Sequence, residues 1–362
     1  MHGIRAHARA LVTVGPATAD HLPALRVALG LAVPGIVLSV SGRPDLIIYA
    51  VFGAFTGMYG RADGLRSRLT RQARAATILV TGVGVGVTLS ALGAPSWILV
   101  VTEVGFAGVV SVVADLFGLE PAGPFYGIFA LGAVATIPAG GVAPWVAVAI
   151  CAATALFCLL LGSVGTLYPG CVQRTRAVVP QRPQWAGSLV HAGRYVTAIG
   201  VAGTAGVLLG VDHANWAMAA AAVPLVAADP PGCVHRGLHR LAGTFVGLIV
   251  TASILVLHPS PTVLAVCVMV LLFPTELFMA RNYALALGFF TPLIMVMTDL
   301  AAPSVPSELV VARGIDTLIG VTAGVVAAFA IRGRARGTDP DFHPGGSGDR
   351  RRLVGSRCVP SL

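Results

Sequence analysis

AATILVTGVGVGVTLSAL, residues Ala75–Leu92, decides the fold. The stretch carries no charge, and its apolar residues run on without the strict apolar–polar alternation of a membrane barrel strand. It is long enough to cross a bilayer as a helix, which takes about 20 residues. The basic string LTRQAR at 69–74 precedes it and marks that end as the one at a headgroup surface. A second run, LVVARGIDTLIGVTAGVVAAFAI at 309–331, reads the same way but holds one Arg and one Asp.

Composition extends that reading to the whole chain. Hydrophobic residues make up 56% of 362, charged residues 11%, and mean hydropathy is +0.85. A soluble domain carries roughly 25% charged residues, so this chain cannot cover a globular surface with polar groups. Lipid is the solvent that tolerates such a surface, and helices satisfy their own backbone groups within it. The net charge of +9 is spread over loops and tails, so the expected partner is membrane lipid and not nucleic acid. The six Cys show no CxxC and no metal spacing. No disulfide framework, metal or cofactor is expected.

Apolar segments fall at 24–41, 46–60, 75–92, 97–116, 125–139 and 142–164, then at 196–210, 214–228, 241–257, 262–280, 282–298 and 309–331. The segments at 46–60, 125–139, 196–210 and 214–228 are short for a full span. Threading all of them with the N-terminus inside places every Arg of the 24 except Arg43 and Arg313 on the inner side. Asp45, Asp212, Asp299 and Glu308 fall outside. This obeys the positive-inside rule.

The expected fold is therefore all-α, a polytopic membrane protein of about 12 transmembrane helices in two parallel six-helix repeats. The repeat shows as Asp45, Tyr49 and LTRQAR at 69–74, matched by Asp212, Trp216 and LHRLAG at 238–243. Expected domains are a cytoplasmic leader at 1–23, a first repeat at 24–164, a cytoplasmic linker at 165–195, a second repeat at 196–331 and a disordered cytoplasmic tail at 332–362. The setting is the cell membrane, with both termini cytoplasmic.

Three strings narrow the reading: RLAGTFVG at 240–247, RNYALALGFFTP at 281–292 and ARGIDTLIG at 312–320. Together with YAVFGAFTGMYG at 49–60, they resemble the fusaric acid resistance protein-like family of integral membrane transporters, over roughly 24–331. That resemblance implies transport, by efflux, of small organic anions with an aromatic or amphipathic body. Relatives in the family imply a homodimer.

Candidate site residues follow from charge at membrane depth, where a central Asp or Arg costs about 2.5–3.5 kcal/mol on the insertion scale. Glu103 has no partner nearby in sequence. Burial favours its neutral form, so it is the first proton-coupling candidate, with Glu276 and Asp316. Arg313 and Asp316 lie at i and i+3 and can neutralise each other on one helix face. Glu276 and Arg281 point different ways and are not paired. Substrate-binding candidates are Arg281 and Asn282 at a helix turn, Tyr283 with Phe289 and Phe290 as stacking rings, Arg240 at the start of a helix, and Arg313. Asp115 is read as solvated. The pairs Gly53/Gly57, Gly82/Gly86, Gly206/Gly210, Gly243/Gly247 and Gly320/Gly324 are read as helix-packing faces. Pro34, Pro138, Pro224, Pro274 and Pro292 are read as helix interruptions, with Pro224 the preferred break near a site.

Two other transport readings stand beside this one. A major-facilitator-type carrier also has twelve helices in parallel halves, and GRADGLRSR at 60–68 is loosely similar to its signature loop. An anion channel has no need of a protonatable acid. An intramembrane enzyme is not expected. The chain has no HExxH string and no Walker A motif, and His235 and His239, at i and i+4, stand in an Arg-rich stretch unsuited to a metal.

Overall fold

The computed structural model describes residues 15, 20–61, 63–164, 185–210, 213–227 and 229–331. The tail at 332–362, residues 165–184 of the expected linker, most of the expected leader, and Asp212 lie outside that set. Every regular element among the described residues is helical: α1 (His21–Val40), α2 (Ile47–Ala54), α3 (Leu65–Ala91), α4 (Ser96–Phe117), α5 (Phe125–Ala135), α6 (Pro144–Val164), α7 (Trp185–Leu208), α8 (Ala214–Ala222), α9 (Pro230–Leu255), α10 (Pro261–Met279), α11 (Tyr283–Ala301) and α12 (Pro306–Ala330). Of these, α1, α3, α4, α6, α9, α10, α11 and α12 are long and apolar enough to cross a membrane. Short 3-10 turns extend α2 on both sides, at Pro44–Leu46 and Phe55–Met58, and follow α8 at Pro224–Val226.

Helix ends differ from the apolar segments for a local reason. The Arg-rich stretch before Ala75 is not a loop: Leu65–Arg74 forms the first turns of α3, because Arg, Leu, Gln and Ala are strong helix formers whether or not lipid surrounds them. The stretch before Leu241 is likewise α9. Two prolines open that helix, and Asp229 caps it by accepting the Gly232 N–H at 3.2 Å. Arg240 therefore sits inside a helix rather than at its start. The segment at 196–210 was drawn too short, since α7 begins at Trp185.

The other three short segments are short helices, and all are interior. Every residue of α2 and α8 is buried, as is α5 from Phe125 to Val134. α11 joins them, with 78% of its most apolar window buried against about 28–50% for the other candidate spans. The centre is thus α2, α5, α8 and α11, and the longer helices enclose it. Contacts follow a pattern: α1 packs on α2, α2 on α6, α3 on α5 and α6, and α4 on α5. Six helices later, α7 packs on α8, α8 on α12, α9 on α11 and α12, and α10 on α11. Contacts of α4 with α7 and of α10 with α1 close the bundle.

Glycine faces make the tightest of these contacts. A Cβ at Gly82 would come within 2.8 Å of the Gly127 carbonyl of α5, and Gly86 lies over the Leu131 carbonyl. Gly243 and Gly247 of α9 lie against α11, Gly320 and Gly324 of α12 against α8, and Gly53 against α6. Gly57 and Gly210 do not pack this way: the nearest atom to a Cβ at Gly57 is at ordinary contact distance, and Gly210 has open space and a positive φ of 68°. Pro34, Pro274 and Pro292 lie within α1, α10 and α11. Pro138 follows α5, and Pro224 ends α8. Cys151, Cys158, Cys233 and Cys267 are unbridged.

Candidate anion-binding site

Near the N-terminal ends of α5, α9 and α11, a cavity of about 120 Å³ opens between the central helices. Arg236 and Arg240 enter it from α9, one turn apart. Phe125 and Tyr126 of α5 and Tyr283 and Phe290 of α11 supply aromatic walls, and Val223 and Val226 flank the Pro224 break. The volume is below the roughly 300–1,000 Å³ of pockets for drug-sized ligands, so it suits a small occupant. A larger cavity of about 310 Å³ lies at the other end of α11, beside Ala301. It is lined by Asp45, Tyr49, Ser90 and the loop at 137–144 and has no basic side chain. The smaller one carries both arginines.

Each arginine near that cavity faces an aromatic ring. The Arg236 guanidinium lies 4.9 Å from the Tyr283 ring centre, and that of Arg240 lies 5.5 Å from Phe125. Deeper in the bundle, the Arg313 guanidinium lies 4.9 Å from Trp216. Arg240 and Arg313 are each 1% exposed. Nε of Arg236, Nε and Nη2 of Arg240, and Nε and Nη1 of Arg313 have no hydrogen-bond partner among the described residues. Behind the cavity the centre is filled by rings. Phe52 meets Phe129 at 5.7 Å, Phe55 meets Phe290 at 5.9 Å, and Tyr59 meets Tyr126 at 6.3 Å.

The structure separates the sequence candidates. Arg240 and Tyr283 line the cavity, and Phe290 with them. Phe289 does not; it stacks on Phe278. Arg281 binds Asp20 at 2.9 Å, and its carbonyl accepts the Gly15 N–H at 3.1 Å. Asn282 caps α11, accepting the Leu285 N–H at 2.9 Å. Both residues that head the RNYAL string thus hold backbone and terminus in place. Arg71, the sequence counterpart of Arg240, is engaged by Asp63 at 3.1 Å and Glu120 at 3.7 Å.

Among the acids, Glu276 pairs with Arg61 at 3.2 Å, and Arg61 also donates to the Glu276 carbonyl. As the sequence indicated, Glu276 and Arg281 are not paired. Asp115 is not a free solvated acid: it meets His191 at 2.9 Å. Arg313 and Asp316 do not neutralise each other by contact; no ion pair joins them, and both Asp316 oxygens are buried without a hydrogen bond among the described residues. The i, i+3 spacing permits a contact, but here the guanidinium is directed to Trp216 of α8 instead. Glu103, 1% exposed, presses its carboxyl against the backbone of Gly132 beside Asn215, and the side-chain oxygens and nitrogen of both residues have no hydrogen-bond partner among the described residues.

Sequence reasoning missed Arg236, Phe125, Tyr126 and Asn215. Arg236 carried a usable signal, the i, i+4 spacing to Arg240, which is hidden because 229–240 falls between the apolar segments at 214–228 and 241–257. The His235 and His239 rings lie 4.2 Å apart at an interplanar angle of 53°, and among the described residues no group of three or more His, Cys, Asp or Glu is placed to hold a metal.

Helices of this length and a charged cavity enclosed by them define a polytopic helical membrane protein. Its second half, residues 201–327, matches the fusaric acid resistance protein-like family. RLAGTFVG, RNYALALGFFTP and ARGIDTLIG all fall in that stretch, so the resemblance read from them holds; YAVFGAFTGMYG lies outside it. The chain is also 26% identical over 144 residues to the uncharacterized membrane protein YvaC of Bacillus subtilis strain 168, across 40% of this chain and 23% of that relative. No solved structure matches. Family and relative both agree with a membrane protein.

Proposed function

We propose that this protein exports small organic anions with an aromatic body across the cell membrane, driven by an ion gradient. The cavity carries that reading: two arginines one turn apart on α9 face a wall of four aromatic rings. A guanidinium fork suits a carboxylate, and the rings suit a flat apolar body. Arg66, Arg68, Arg71 and Arg74 on α3 lie toward the same end as Arg236, so the positive-inside rule makes that end cytoplasmic and supports termini on that side. The six-helix interval of the packing contacts supports two parallel repeats. Glu103 is the proposed proton carrier, being buried beside the central helices with no counter-charge in contact. A homodimer is carried from the family resemblance.

The test is uptake of radiolabelled benzoate into inside-out vesicles, with and without a proton gradient. Wild type should concentrate benzoate when the gradient is present. Arg240→Gln should abolish uptake, and Glu103→Gln should uncouple it from the gradient. Uptake that ignores the gradient in wild type leaves a channel or facilitator. A wild type that moves no acid, although correctly inserted, overturns the reading.

A further inference from the structure

Arg240 and Arg313 are among the largest fully buried side chains of the protein, and Asp316 is 0% exposed. Within this group of three, the formal charges sum to one net positive, two guanidiniums against one carboxylate. The charged groups acting on Arg313 are Arg240 and Asp316. α9 and α12 pack together, with Gly237 against Val321 and Gly314 against Phe245 and Leu248, so the two guanidiniums stand on facing helices, and no salt bridge joins a carboxylate to either among the described residues. Their ring contacts with Phe125 and Trp216 are worth about 0.5–2 kcal/mol each. Removing a charge from water costs several kcal/mol per ion, so the rings do not compensate it. Four guanidinium N–H-bearing nitrogens, two on each arginine, remain without an acceptor among the described residues. Such groups are normally satisfied, and a buried cation is normally paired.

We infer that Arg240 and Arg313 form a buried seat for one monovalent carboxylate, with Asp316 setting the charge that the seat accepts. Arg240 is the shared element. It faces the cavity on one side and lies near Arg313 on the other, so the carboxylate enters past Arg236 and the rings of the occupant stay among Phe125, Tyr126 and Tyr283. This rests on the anion-transport reading and narrows its substrate to monoanions. A dianion would leave the seat net negative inside a low-dielectric core. Asp316 is what excludes it, by repulsion rather than by shape.

The test is equilibrium binding to the purified, detergent-solubilised protein. Trp216 is the reporter, being 1% exposed, whereas Trp97, Trp145 and Trp185 are 46%, 73% and 60% exposed. The probes are benzoate, phthalate and chloride. Wild type should bind benzoate more tightly than phthalate by about tenfold or more, equivalent to ~1.4 kcal/mol. Asp316→Asn keeps the side chain's shape and raises the net charge of the group from one positive to two, so its folding is checked by melting in the same detergent; the folded variant should reverse that preference. Arg313→Gln should lose benzoate by a similar factor, while Arg281→Ala binds as wild type. Chloride bound without benzoate overturns both the carboxylate seat and the aromatic-acid reading. Benzoate binding with an unchanged benzoate-to-phthalate ratio in Asp316→Asn overturns the seat and leaves the aromatic-acid reading standing. Failure of all three probes to bind the folded wild type also overturns it.

Discussion

The carboxylate of Glu276 on α10 is held by the guanidinium of Arg61, 3.2 Å away and 215 residues earlier in the chain. Glu276 is 1% exposed and Arg61 20%. This is a pair at the edge of the bundle, with the acid inside and the base reaching in from the connection before α3. Removing Arg61 leaves the buried carboxylate with only the more distant charge of Arg26.

Arg61→Gln should therefore destabilise the protein by about 3 kcal/mol, the low end for a buried pair broken on one side. Glu276→Gln, which leaves the more exposed member, should cost less. The double variant Arg61→Gln/Glu276→Gln should recover part of the loss, because the deeper charge is then gone while Arg26, which also acts on Glu276, loses its counter-charge. Thermal unfolding in detergent measures all three. Simple addition of the two single losses in the double variant would show that the residues do not act as a pair.

Asn282 and Arg281 were attractive as ligands because they head the string that carries the family resemblance. Their contacts are structural: a cap on α11 and a tie to Asp20. Asn282→Ala should cost about 1 kcal/mol of stability with benzoate affinity unchanged, and Asn282→Asp should restore the loss. Arg281→Ala should also leave affinity unchanged. A drop in affinity at constant stability, read from binding and melting of the same sample, would return these residues to the site.

Much of this architecture was legible in the sequence, and the failures have identifiable causes. Continuous apolar runs located the helices, since lipid imposes one solution on the backbone. They misplaced ends wherever a helix leaves the lipid: Leu65–Arg74 and Pro230–Arg240 are helical although charged. Hydropathy sees solvent, while helix propensity continues past the membrane surface. Short segments were seen as short, but their central burial follows from packing that no local pattern encodes. Of the residues lining the cavity, Arg240 and Tyr283 stand out in the sequence because charge and aromaticity at depth are costly and visible. Phe125 and Tyr126 are ordinary residues in an apolar run, and only the contact between α5 and the aromatic rings of α11 gives them a role.

The aromatic walls make a separate prediction. Arg236 is partly exposed and stacks on Tyr283 at 4.9 Å, so each supports the other in facing the cavity. Tyr283→Ala removes both a stacking surface and the platform for Arg236. It should weaken benzoate binding by about tenfold, with Tyr283→Phe near wild type, since aromatic pairs are worth about 0.5–1.5 kcal/mol beyond their area. Arg236→Ala should weaken binding most at low ionic strength, because its charge acts near solvent where salt screens it. Titration at two salt concentrations checks this; an Arg236→Ala effect independent of salt would show that the contribution is packing and not charge.

Gly132 sets the position of the proposed proton carrier. A Cβ there would fall 2.7 Å from the Asn215 Cβ and onto the Glu103 carboxyl. Glu103 and Asn215 come from α4 and α8, and Gly132 is the point on α5 where their side chains meet a bare backbone. Gly132→Ala must push the carboxyl aside or move α5 against α8, and overpacking of this kind costs roughly 1–3 kcal/mol. If Glu103 carries the proton, Gly132→Ala should impair gradient-driven benzoate uptake far more than benzoate binding, because the arginines and rings of the cavity are left in place. Glu103→Gln, which keeps shape and loses the titrating group, should uncouple uptake without the stability loss. Equal losses of binding and uptake in Gly132→Ala would point to collapse of the central helices instead. Normal coupling in both variants would remove Glu103 from the transport cycle and leave it a buried structural acid.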